Sequence, residues 1–384
     1  MSQSEACAPY RKRLTMAKHE LDLDEPLLSD GDLREPSRVQ WRSAVVKVIL
    51  AACSLCAAIG LFGGFTSLVL VRHGSSVTSR KWSYSAFSGQ VWSTDGLQIE
   101  YRTTLVSALF LDPNDVMRHP PAQYFEWLGN FLRANEQPIV FYTSPDLVAK
   151  VQAAHGPSTS TRPLQIVTVA SALTLPPILE LGGQQWLQQQ WRLDPEQRIH
   201  STLMYAVWMS KAWFLERTTK SNPFKSERFF WVDAGAFRSQ TRVRFSDLDV
   251  RLDEAFGTSG DRMMLSAVEN LPMADALDSY TNASAVPLRA NLIQGAWFGG
   301  SVTAVSWWAQ EMHRVASTQT RLGRFAAKEQ DIMNLAALIN RPRLLILMAR
   351  QRTGECGTNP WFVFTHWADG RTGAKRCEPS FLVA

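Results

Sequence analysis

Apolar positions fall into two regimes along this chain. From Val48 to Val71 they run on without a charge. At about 1.5 Å per helical residue that run outlasts the roughly 30 Å hydrocarbon layer of a bilayer. Beyond it the apolar positions recur with the periods of secondary structure, strands alternating with amphipathic helices. Residues 104–111 (TLVSALFL) predict a strand, and residues 121–135 a helix with Tyr124, Phe125, Trp127, Leu128, Phe131 and Leu132 on one face. Residues 138–143 (PIVFYT) predict a strand, residues 147–154 a short helix, residues 164–169 (LQIVTV) a third strand and residues 199–217 a long helix rich in aromatic residues. Residues 228–233 (RFFWVD) form an apolar run that stops on a carboxylate, as buried parallel strands do at their carboxyl ends. A glycine-bounded segment, residues 293–300, precedes a helix over 302–315, a helix over 328–338 and a strand over 343–347. Strands alternating with helices predict an α/β domain with a mostly parallel central sheet.

The uncharged run begins far from the N-terminus, which favours an uncleaved signal anchor over a cleavable signal peptide; a buried core helix is the other reading. The expected organisation is a disordered cytoplasmic tail (1–43), a transmembrane signal anchor (44–71), a Ser/Thr/Gly-rich stem (72–100) and one folded domain (101–384). Arg34, Arg38, Arg42 and Lys47 before the run face Arg72, Arg80 and Lys81 after it. That narrow bias predicts a single-pass type II protein of the Golgi or ER membrane with its C-terminal domain lumenal. Asp24-Glu25-Pro26-Leu27-Leu28 has the form of an acidic dileucine sorting signal, a motif short enough to arise by chance. Cys356 and Cys377 are a candidate disulfide in such a compartment or, equally, two free thiols, and Asn282-Ala283-Ser284 is a glycosylation sequon.

Composition narrows the function. Hydrophobic residues make up 45% and charged residues 20%, which fits a folded domain, and the net charge of +5 is scattered rather than gathered into a basic stripe. Nucleic acid is therefore not an expected partner. The 14 Trp are core or interface residues, a few of which could stack on a sugar or base.

Three segments carry candidate chemistry. Asp233 ends the strand over 228–232 next to Ala234-Gly235, where a carboxylate could hold a divalent cation against a diphosphate or, equally, cap a turn. Gln294-Gly295-Ala296-Trp297-Phe298-Gly299-Gly300 suggests a loop whose backbone packs closely against a planar or sugar ligand, or a tight structural turn. Lys328-Glu329-Gln330-Asp331 opens a helix and offers Glu329 as a general base, or an ordinary acidic first turn.

In this order, the motifs YFEWLGNFL, PIVFYTS, LMYAVWMSKAWFLE, NPFKSERFFWVDAGAFR, QGAWFGG and KEQDIMN resemble the HtrL/YibB family over residues 105–370. The resemblance implies a fold similar to the GT-A nucleotide-diphospho-sugar transferases. It also implies metal-assisted transfer from a nucleotide-diphosphate sugar donor to a glycan, lipid or protein acceptor, with Mn²⁺ or Mg²⁺ as cofactor. Asp233 then looks like the first carboxylate of the metal motif, and Gly235 stands where the second would be. Lys211 and Arg238 would pair with donor phosphates. Gln294, Gly295, Trp297, Gly299, Gly300 and Gln330 would line the acceptor side, and Glu329 or Asp331 would be the base. His366 is a possible late metal ligand or an ordinary histidine beside Trp367. Asp247-Leu248-Asp249 has the spacing of a complete metal motif but no apolar strand before it, and is expected to be a solvated loop. A non-catalytic sugar-binding or scaffolding module that keeps the fold is the rival reading.

Overall fold

The apolar runs pair into one sheet. The computed structural model describes residues 89–90, 101–112, 119–159, 162–238, 245, 247–257, 260–269, 280–348, 360–368 and 380–383. In chain order its elements are β1 (Gly89–Gln90), β2 (Thr103–Leu109), α1 (Pro121–Ala134), β3 (Ile139–Thr143), α2 (Val148–His155), β4 (Leu164–Thr168), α3 (Pro176–Leu181), α4 (Gly183–Leu193) and α5 (Thr202–Ser221). There follow β5 (Arg228–Val232), α6 (Leu248–Phe256), β6 (Met263–Ala267), β7 (Ile293–Ser301), α7 (Val302–Arg321), α8 (Glu329–Ile339), β8 (Leu344–Met348), α9 (Val363–Ala368) and β9 (Ser380–Val383).

The sheet order is β1-β4-β3-β2-β5-β7-β6-β8-β9. Between the two short edge strands, β4-β3-β2-β5-β7-β6-β8 form a mostly parallel sheet in which only β7 runs against the others. Alternate residues serve opposite faces, the period-two signature of a strand buried on both sides. On β5, Phe229 and Trp231 join one core, whereas Phe230 and Val232 join the other. The first core is closed by α3, α4, α5, α7 and α8, the second by α1, α2, α6 and α9. The protein is thus α/β, with helices on both faces of its sheet. Successive strands β2, β3 and β4 step outward, and the chain then returns to place β5 on the other side of β2. Such a reversal leaves a crevice at the carboxyl ends of the strands, where open α/β sheets bind ligands.

Several expectations are corrected. The segment over 293–300 is no loop: it is β7, antiparallel to both β5 and β6. Its glycines read as loop residues, but a Cβ on Gly299 would run into the Phe229 carbonyl and the Phe230 ring, and one on Gly300 would meet the Arg262 carbonyl. Here glycine permits close approach of neighbouring strands rather than a turn. Asp247-Leu248-Asp249 is not a solvated loop either, because Leu248 is buried at the start of α6 and Asp249 accepts a hydrogen bond from the Thr103 hydroxyl at 2.5 Å. The long helix begins three residues later than expected because Ser201 caps it, its hydroxyl accepting the Met204 N–H at 3.1 Å.

Gly89 and Gln90, within the segment expected as a stem, pair antiparallel with β4. Residues 1–43, the apolar run over 44–71, Cys356 and Cys377 lie outside the described residues. Among the described residues no helix is long and apolar enough to cross a membrane.

Candidate functional site

The site is built where β5 stops. Asp233 follows the last strand residue, its N–H donating to the Ala296 carbonyl of β7 at 3.0 Å while its own carbonyl accepts the Ala236 N–H. That turn holds the carboxylate at the rim of the carboxyl edge, with its side chain 33% exposed. The Trp231 indole N–H donates to Oδ1 at 2.6 Å and orients the group from within the strand. Gly235 lies against the Trp127 ring, so close that a Cβ there would already touch it.

Lys211 reaches the same point from α5. Its ammonium lies 2.9 Å from Asp233 Oδ1 and 2.7 Å from Glu329 Oε1, and donates to the Gly295 carbonyl at 3.1 Å. The lysine and Glu329 are both buried. Burial favours the neutral amine, but Asp233 and Glu329 more than offset it and hold the Lys211 pKa above its ordinary value. Gly295 must lack a side chain because a Cβ there would collide with the Glu329 carboxylate. Asp233, Lys211, Gly295 and Glu329, drawn from β5, α5, β7 and α8, therefore meet in one cluster with two carboxylates and one ammonium.

Asp331 sits two residues into α8 on a different wall. Its carboxyl is buried, and burial raises its pKa to about 6; Lys328 and Arg289 pull the value down, and Glu329 and Glu196 push it up. Together with Asp194, Glu196, Arg289, Asn291 and Lys328 it lines a cavity of about 220 Å³. Asn334, three residues on, holds the segment that carries Arg289 and Asn291: its carbonyl oxygen accepts the Ile293 N–H at 2.9 Å and its amide donates to the Leu288 and Ala290 carbonyls.

Next to this cavity, Asp194 accepts from His200 Nδ1 at 2.7 Å, the Tyr205 hydroxyl at 2.5 Å and the Glu196 N–H at 2.8 Å. Burial pushes the Asp194 carboxyl up, yet these donors outweigh it and leave its pKa below the ordinary value. Tyr205 is pushed up by burial and by that carboxylate. Asp194, Glu196 and His200 bring ligand atoms within 4.8 Å of one another and could hold a metal ion.

The remaining expected residues scatter. Arg238 is exposed, with its guanidinium 4.9 Å from the centre of the Trp127 ring and 5.9 Å from that of Phe362. Gln294 is buried and donates to the Ser266 hydroxyl at 2.7 Å. Trp297 is a core residue, stacked on Phe230 at 4.7 Å and on Phe364 at 5.2 Å. Gly299 and Gly300 pair with Phe230 and Phe229, further down the sheet from Asp233. The Gln330 amide donates to the Ile293 carbonyl at 3.3 Å. Asn282 is exposed, its side-chain oxygen accepting the Ser284 N–H at 2.8 Å. The backbone of His366 belongs to α9, and its side chain lies outside the described residues. Asp194, Glu196, Arg289 and Asn334 were not singled out in the sequence. Asn334 stood within the motif KEQDIMN, and the run from Asp194 to His200 is a polar stretch with metal-ligand residue types.

Fold and site together define an α/β protein with a lysine-bridged carboxylate pair at the carboxyl edge of a mostly parallel sheet. No protein-family model matches this chain, and no curated protein matches its sequence significantly.

Proposed function

We propose that this chain is a membrane-anchored glycosyltransferase that moves a sugar from a nucleotide-diphosphate donor to an acceptor hydroxyl. The resemblance to the HtrL/YibB family suggests the GT-A-like character. The observation that carries the reading is the convergence of Asp233, Lys211, Gly295 and Glu329 where the strand order reverses. Anchoring through residues 44–71 and a lumenal domain in the Golgi or ER belong to the same proposal.

Asp233 is the residue suited to a divalent ion. Its carboxylate is partly exposed, Gly235 adds no side chain at the rim, and two carboxylates against one ammonium leave the cluster a net negative charge. Mn²⁺ or Mg²⁺ bound there would neutralise charge on the departing diphosphate, with phosphate and water completing the shell. Lys211 acts as a positioning residue, since its ammonium is committed to Asp233, Glu329 and the Gly295 carbonyl rather than to phosphate. Arg238, exposed just beyond Asp233, is the cation assigned to donor phosphates. Glu329 is tied to Lys211, whereas the Asp331 carboxyl, held at about 6, suits a group that must take a proton near neutral pH. The base is Glu329 or Asp331, both on the first turn of α8.

A non-catalytic sugar-binding module remains the second reading, favoured by the Lys211 ammonium that already lies on the Asp233 carboxylate. Donor turnover separates the two. Asp233→Asn should lower transfer by about 10²-fold or more, the usual effect of removing one electrostatic stabiliser. Transfer at the unmodified rate in that variant would remove Asp233 from the mechanism.

A further inference from the structure

We propose that the cavity between the α4–α5 connection and the first turn of α8 binds one neutral sugar ring, held by Asp331, Arg289, Lys328 and Asn291. The buried carboxylate of Asp331 points to a ligand. It is 5% exposed and, among the described residues, accepts no side-chain hydrogen bond, although it lines the cavity. Its oxygens open on the cavity and, among those residues, take no side-chain donor, and a ligand hydroxyl is a donor of the right kind. Burial raises its pKa, so a donor supplied there would stabilise the charged form.

The charges of the lining exclude the simpler occupants. Asp194, Glu196 and Asp331 face Arg289 and Lys328, so the cavity carries no positive excess to attract an anion. A metal ion could sit among Asp194, Glu196 and His200 only by breaking existing bonds. Glu196 is paired with the Lys328 ammonium at 2.9 Å, and the oxygens of Asp194 already accept from His200, Tyr205 and the Glu196 N–H. An ion would have to displace those donors and sit beside two cations.

A polyhydroxyl ring meets the lining as it stands. Each sugar hydroxyl both donates and accepts, so one hydroxyl can donate to Asp331 while others accept from Arg289 and Lys328. Asn291 offers both roles, and buried Phe325 supplies an apolar wall. A volume of about 220 Å³ is small for a drug-sized ligand and suits a single ring. The assignment is independent of the transferase reading; within a transferase this ring would be the end of the acceptor.

The test is saturation-transfer NMR on the full chain, in a detergent without a sugar headgroup, with glucose, galactose, mannose and N-acetylglucosamine offered one at a time and no nucleotide present. At least one should bind. Asp331→Asn and Arg289→Gln should each weaken it by about tenfold or more, the ratio expected on losing a hydrogen bond to a charged group. Asp233→Asn should leave it unchanged. Binding of none of the four, or binding that survives both cavity substitutions, overturns the proposal. Sugar binding by a protein that fails to bind any nucleotide diphosphate still supports the cavity assignment while removing the transferase reading.

Discussion

Burying an ammonium costs several kcal/mol unless its charge and hydrogen-bonding capacity are both met. Lys211 meets that condition with two carboxylates and one carbonyl. Lys211→Met should therefore leave Glu329 buried without its counter-charge and destabilise the domain by roughly 3–5 kcal/mol. Denaturant unfolding would measure it, and adding Glu329→Gln should recover much of the loss. A single variant as stable as the parent would mean that the pair contributes nothing to the fold. At this scale Asp233 was legible in the sequence, because an apolar strand ending on a carboxylate and a glycine is a local pattern. The true partners of Lys211 were not. Asp233 and Glu329 are 22 and 118 positions away, and no periodicity in the sequence connects residues that meet only through the sheet.

Among the elements, α8 shows two effects in competition. An acidic residue in the first turn of a helix normally gains from the helix dipole, which lowers its pKa. Asp331 occupies that position, yet burial wins and its pKa rises from the ordinary 3.8 to about 6. Between those values the folded state binds more protons than the unfolded one. Stability is therefore lost as pH rises from about 4 to about 6, by an amount on the order of 3 kcal/mol, and the penalty is fully present above that. Asp331→Asn should flatten this part of the pH–stability curve and raise stability at neutral pH. An unchanged slope in the variant would contradict the assignment of the titration to Asp331. Strands β2, β3, β4, β5 and β8 and the helices α1 and α5 were legible to within a few residues, because aromatic and β-branched runs announce themselves, whereas α7 runs on to Arg321 past its expected end at 315. The glutamine-rich α4 hides its buried stripe of Trp186, Leu187 and Gln190, and α6 hides Leu248, Leu252 and Phe256 among charges. Five-residue β6 was missed, and the glycines of β7 disguised a strand.

For the whole molecule, what matters is order rather than identity of elements. That strands alternate with helices implied an α/β fold. The place where the order reverses, between β2 and β5, and the antiparallel insertion of β7 are properties of the assembled sheet. Those two features bring Asp233 and Gly295 to one edge and let α5 and α8 deliver Lys211 and Glu329 to it. The cavity lined by Asp331 lies on another side of the same helix start, so α8 carries both candidate sites on its first turn. The transferase reading requires the first of them to hold a nucleotide diphosphate.

Thermal unfolding of the full chain against nucleotide diphosphates, with and without Mn²⁺, tests that requirement most directly. A nucleotide present at about 100 times its dissociation constant should stabilise the fold by roughly 2.7 kcal/mol. The account predicts a shift that depends on Mn²⁺, appears with one class of nucleotide and disappears in Asp233→Asn. No shift with any nucleotide, or one that persists in Asp233→Asn, would contradict it.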